Sequence, residues 1–222
     1  MSLVKISGNA SGTGTFEIAA PNSNTNRTLT LPDASGTVVV GASAVSAAGQ
    51  IPFSTDGTSY TPTEKIVSGT VVASTSGASI DFTSIPSWVK RITVMFNGVS
   101  LSGTSTIQIQ LGTSGGVQAT GYNSNSTQLT NALAVSLIAS TTGFVINSAS
   151  ASAAHSGQYV LSLLDSSNGL WVLTGAVGID GSATMMINTG KKTLSGTLDR
   201  VRITTVNGTD TFDAGSINIL YE

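Results

Sequence analysis

From residue 92 to residue 164 the chain carries no Asp, Glu, Lys or Arg. Natural sheet edges are usually guarded by charge, Lys above all. So long an uncharged stretch must be buried, covered by another subunit, or kept in solution by Ser, Thr, Asn and Gln. The rest of the chain is of the same kind. Charged residues are 9% of the whole, against roughly 25% in an average soluble protein. Nearly three residues in ten are Ser or Thr, and 25 are Gly. These favour strands and turns over helices, so an ordinary helical enzyme is not expected.

The formal net charge is -2 and the pI about 5.2, which leaves no basic surface for nucleic acid or acidic lipid. Cys is absent, and with it disulfide staples, Cys-based zinc sites and thiol chemistry. The opening Met1-Ser2-Leu3-Val4-Lys5-Ile6-Ser7 has a Lys but no apolar run behind it, unlike a secretory signal. No apolar run approaches the ~20 residues that span a bilayer as a helix. Neither export by that route nor membrane insertion is expected.

Large apolar residues are about a quarter of residues 1–64 and about a third of residues 65–222. A short segment so poor in them does not offset its own chain entropy. The expectation is an N-terminal segment, 1–64, ordered by its partners, then a globular domain over 65–222. Within the first part, Thr15–Ile18, Thr28–Leu31 and Val38–Val40 read as short strands, and residues 41–49 as a linker.

The second part reads as strand after strand. Ile92, Val94 and Phe96 alternate with Arg91, Thr93, Met95 and Asn97, and Ile107, Ile109 and Leu111 with Gln108 and Gln110. Two apolar runs flank Asp165-Ser166-Ser167-Asn168-Gly169, the pattern of a hairpin. Asn97-Gly98 and Asn207-Gly208 read as turns. Residues 132–139 fit a short helix or a strand. The expected class is all-β, with a short β-rich N-terminal segment and a C-terminal antiparallel, jelly-roll-like β-sandwich.

Two stretches carry a resemblance. One is Gly12-Thr13-Gly14-Thr15-Phe16-Glu17-Ile18, followed by Arg27-Thr28-Leu29-Thr30-Leu31-Pro32-Asp33. The other runs from Gly49-Gln50-Ile51-Pro52-Phe53 through Ile80–Val94 to Leu198–Thr205 and Thr209–Ile219. They resemble bacteriophage virion fibre proteins, the first a module near the N-terminus or shaft, the second the C-terminal domain of tail-fibre-like proteins. Residues 112–197 carry least of it. The resemblance implies a homotrimer in the virion, held to other virion proteins through residues 1–64. It further implies that residues 65–222 bind a host-surface glycan or protein receptor without enzymatic chemistry or cofactor. Three weak sites per fibre, and many fibres per particle, then bind by avidity. A head fibre or decoration protein and a glycan-degrading tail spike are the alternatives.

No catalytic or metal site is expected. His155 is the only histidine and has no nucleophile motif beside it; a solvated loop or a subunit contact is expected for it. Glycan hydrolysis uses paired carboxylates, yet Glu occurs only at 17, 64 and 222. Asp165 to Gly169 lacks the further acidic residues of a calcium loop. The binding candidates are Tyr122, Asn123, Asn125 and Gln128, in loops expected over residues 112–131. An aromatic face beside neutral donors and acceptors suits a neutral sugar. Trp88 and Trp171 sit in apolar contexts and read as core. Lys90, Arg91, Arg200 and Arg202 form the alternative, charged candidate.

Overall fold

The computed structural model describes the backbone of residues 50–53 and 61–64, and residues 66–222 apart from 133 and 152. The expected strands at 15–18, 28–31 and 38–40 and the linker at 41–49 lie outside the described residues. β1 (Gln50–Phe53) and β2 (Thr61–Glu64) pair antiparallel, Gln50 opposite Glu64.

The described residues from 66 onward contain strands and no helix, as the alternation of apolar residues requires. Every strand pair among these residues is antiparallel, in two sheets. The larger has nine strands. Its spatial order is β10 (Val135–Ser140), β9 (Tyr122–Thr130), β14 (Thr184–Thr193), β13 (Leu170–Ile179), β12 (His155–Asp165), β6 (Arg91–Leu101) and β16 (Phe212–Tyr221). The short β3 (Val67–Ser68) and β4 (Val72–Ala73) cover the far side of β16. The smaller sheet runs β11 (Phe144–Val145), β7 (Ile107–Thr113), β15 (Arg200–Thr205) and β5 (Ser79–Phe82), with β8 (Gly116–Val117) folded back on β7. The chain crosses repeatedly between the two sheets. Residues 135–140 are a strand, so the helix alternative for this stretch is excluded.

One apolar core joins the inner faces. Ile92, Val94 and Phe96 of β6, Tyr159 and Leu161 of β12, and Ile217 and Ile219 of β16 pack towards Ile109, Leu111, Val201 and Ile203. The phase expected for β6 holds, with Ile92 and Val94 fully buried and Arg91 and Asn97 exposed. β7 departs from simple alternation because Gln108 and Gln110 are buried as well. Residues 141–143 fold over them. The Gln110 Nε2 donates to the Thr142 carbonyl at 2.8 Å, and the Thr142 hydroxyl donates to Gln108 Oε1 at 3.1 Å. A buried amide is tolerated when it is hydrogen-bonded.

Asn97-Gly98 is a bulge inside β6, not a turn. Pairing with both β12 and β16 shifts register there, and Gly98 takes φ 62°, a conformation that favours glycine. Asn207-Gly208 is a turn, in which Asn207 Oδ1 accepts from the backbone N–H of Thr209 and Asp210, both at 3.0 Å. Asp165 closes the hairpin as expected. It accepts from the Ser167 N–H at 2.8 Å and Asn168 Nδ2 at 2.7 Å, bonds that hold its carboxyl below the usual range.

Candidate functional site

A cleft of about 500 Å³ opens at one end of the sandwich. Three connections build it: residues 86–90 leading into β6, the 165–169 turn, and residues 194–198 leading out of β14. Hydrogen bonds fix the walls. The Leu194 N–H donates to the Gly169 carbonyl at 3.0 Å, the Leu163 N–H to the Lys90 carbonyl at 2.9 Å, and the Lys90 N–H to the Glu222 carbonyl at 2.7 Å.

Trp171, Val89 and Leu194 give the cleft an apolar floor, while Asn168, Ser167 and Thr197 bring neutral donors and acceptors. Among the described residues Lys90 is the one charged residue in the lining, which holds neither carboxylate nor histidine. Such a lining hydrogen-bonds a small polar ligand above a closed apolar floor. It has no general acid–base pair. The apolar context of Trp171 in the sequence indicated burial, and the side chain is only 2% exposed. That it also lines a cleft depends on turns brought together from separate parts of the chain.

The four binding candidates from the sequence do not form one surface. Residues 122–130 are the strand β9, not a loop, and a strand sends alternate side chains to opposite faces. Tyr122 is 3% exposed. Its ring meets Phe144 edge-on with centroids 5.1 Å apart, and its hydroxyl accepts from the Leu111 N–H at 2.6 Å. Burial raises its pKa far above the ordinary tyrosine range. It is unavailable as a stacking platform. Gln128 is half-buried at the other end of the strand on the same side. Asn123 and Asn125 lie together on the outer face, the Asn125 Nδ2 donating to Asn123 Oδ1 at 3.4 Å.

Sequence reasoning missed the inward polar row beside Tyr122. The Ser124 hydroxyl accepts from the Val145 N–H at 3.0 Å, and the Ser126 hydroxyl from the Asn147 N–H at 2.9 Å. Ser126 and Tyr159 donate to Asn188 Oδ1 at 2.9 and 3.2 Å, and Asn188 Nδ2 donates to the Val145 carbonyl. These side chains tie the larger sheet to residues 144–147. The alternation Tyr-x-Ser-x-Ser was the only signal.

The charged candidates are separated as well. Arg91 pairs with Glu222 at the margin of the cleft end. Arg202 holds Asp81 across β15 and β5 through two bonds of 2.7 Å, and Arg200 pairs with its neighbour Asp199. His155 is in neither of the expected settings, a solvated loop or a subunit contact. It is 2% exposed, at the start of β12, with Nδ1 donating to the Val99 carbonyl at 2.9 Å. Burial lowers its pKa. Among the described residues, no three His, Asp or Glu come together as a metal-binding group.

No family model, curated protein or solved structure matches this chain.

Proposed function

We propose that the protein is a virion fibre that attaches a bacteriophage to its host by multivalent, non-covalent binding. The mount is residues 1–64, the working form is a homotrimer, and the β-sandwich carries the receptor contact. The cleft is the observation that carries the binding part of this proposal. Its turns hold hydroxyl and amide groups over an apolar floor with, among the described residues, a single Lys, which fits a saccharide of the host surface.

The described carboxylates have local partners. Asp81, Asp199 and Glu222 pair with arginines. Asp165 and Asp210 cap turns, and Asp180 and Asp213 accept from serines. That pattern favours binding over the glycan-degrading spike, which needs two carboxylates facing one sugar bond. The segments that carry the fibre resemblance, distant in sequence, meet as the pairs β5–β15 and β6–β16.

The test is binding of purified protein to host cells and glycans, beside localisation on particles by electron microscopy. Lys90→Ala with Thr197→Ala should weaken cell binding at least tenfold and leave melting unchanged. The chain joins the sandwich at the cleft end, where β3 pairs with the last residues of β16. Substitutions in the turns at the opposite end, residues 180–183 and 206–211, are therefore the control. Abundance on heads with no cell binding would support the decoration alternative instead, and release of reducing sugar ends the spike.

A further inference from the structure

The outer face of the larger sheet turns apolar towards its β10 margin. Val135, Leu129 and Met185 stand in one row across β10, β9 and β14, and Leu137, Thr127 and Ile187 in the next. Leu137 is 74% exposed, Val135 60%, Met185 43% and Ile187 41%. Those four side chains leave open roughly 400 Å², which equals the largest apolar patch of a typical monomer. A shallow groove of about 340 Å³ between the β9–β10 and β13–β14 turns continues from Leu129 and Met185 to Asn131 and Ser182.

Among the described residues nothing pairs with the outer side of β10. Its sequence, Val-Ser-Leu-Ile-Ala-Ser, has no charge and no Pro, and its register with β9 is unbroken over six pairs. Among the described residues none of the usual devices against edge pairing is present. Two other margins differ. β3 and β4 cover β16, and β5 carries Asp81 tied to Arg202.

We propose that β10 and the two apolar rows beside it are the seat of a second copy of this chain. The surface is electrically neutral, so identical copies meet there without like-charge repulsion, and a charged partner finds nothing to pair with. The free backbone groups of β10 accept a strand of the neighbouring copy. The apolar rows supply about half of the ~800 Å² that each partner contributes to a standard interface, and the strand and groove add to it. The proposal rests on the fibre reading only for the number of copies.

The chain has no cysteine, so one introduced thiol reports its own site. In the full chain, Leu137→Cys should react with a maleimide at least tenfold more slowly than Val206→Cys, whose parent residue is 48% exposed. Leu137→Lys with Ile187→Lys should lower the mass in light scattering from a multiple of 22.3 kDa to that of one chain, with cooperative melting retained. A monomeric parent chain, or an undiminished mass in a folded double-Lys variant, overturns the proposal. Slow thiol reaction in a monomer also overturns it, by assigning the cover to residues 1–65 of the same chain. Should the double variant fail to fold, the thiol rates decide, and equal rates at the two positions reject the interface. Particle localisation reads virion attachment separately: a chain found on particles as a monomer sinks the interface and the homotrimer and leaves the virion assignment standing.

Discussion

The two halves of the nine-stranded sheet bury different mixtures of side chain. Under β12, β6 and β16 the inward row is apolar: Leu161, Ile92, Val94, Ile217 and Ile219. Under β9 and β14 it includes Ser124, Ser126, Asn188 and Lys192, while Val135, Leu137, Met185 and Ile187 lie outside. Polarity alone does not decide which way a strand faces. The backbone of residues 144–147 lies beneath β9 and β14 with N–H and C=O groups that no strand pairs on that side. Side-chain hydroxyls and an amide meet them, and a buried polar group so bonded is tolerated. Lys192 follows the same logic. Its amino group donates to the Thr120 carbonyl at 2.9 Å and sits 5.3 Å from the centre of the Tyr122 ring.

If the polar half is held by its network, breaking the hub should rival a cavity in the apolar half. Asn188→Ala strips partners from Ser126, Tyr159 and the Val145 carbonyl. It should destabilise by about 3 kcal/mol, as much as Leu161→Ala, in urea denaturation. A loss below about 1 kcal/mol would mean that the network is dispensable. Tyr122→Phe keeps the ring against Phe144 and removes the hydroxyl bonded to Leu111. It should cost about 1–2 kcal/mol in the same measurement.

His155 sharpens the contrast from the apolar side, since its Nε2 is buried without a hydrogen-bond partner among the described residues. Burial lowers its folded pKa below the unfolded value of about 6.5, so the unfolded chain binds the extra proton first. Its contribution is complete above pH ~6.5 and is lost as pH falls through the folded pKa, by at most about 1.4 kcal/mol per pH unit. The hydrogen bond to the Val99 carbonyl and the negative charge of Asp180 act in the opposite sense and narrow that window. Melting temperature against pH should decline below that point in the parent chain and flatten in His155→Gln. The depressed carboxyls of Asp165 and Asp210 lose their contribution only below their ordinary value of 3.8, which separates the two windows. The smallest effect is expected outside. Asn123→Ala with Asn125→Ala should change stability by less than about 0.5 kcal/mol, and a larger loss would show that the outer polar pair is structural.

Much of the scaffold was legible in residue alternation. The all-β class, the phase of β6 and the 165–169 hairpin follow from period-two patterning and turn chemistry, which act between near neighbours. The binding candidates on β9 were not legible in the same way. Tyr122, Asn123, Asn125 and Gln128 are adjacent in sequence, but a strand divides them between two faces, and nothing local says which face is wet. For Ser124 and Ser126 that depended on Val145 and Asn147, about twenty residues away. Gly98 was misread because Asn-Gly suits a tight turn and a bulge equally, and only neighbours on both sides of β6 distinguish them.

By itself the sequence determined that this chain forms antiparallel strands, since sparse charge, abundant Ser, Thr and Gly and alternating apolar residues constrain the backbone locally. It also determined that no thiol takes part, because there is none. Tertiary structure decided the rest: that Tyr122 is core, that Trp171 floors a cleft, that the serines of β9 face inward, and that β10 is a margin among the described strands. Each of these depends on which distant backbone groups and turns lie opposite. Hydrogen-bond satisfaction and exposure are properties of that assembled neighbourhood, and no single segment carries them.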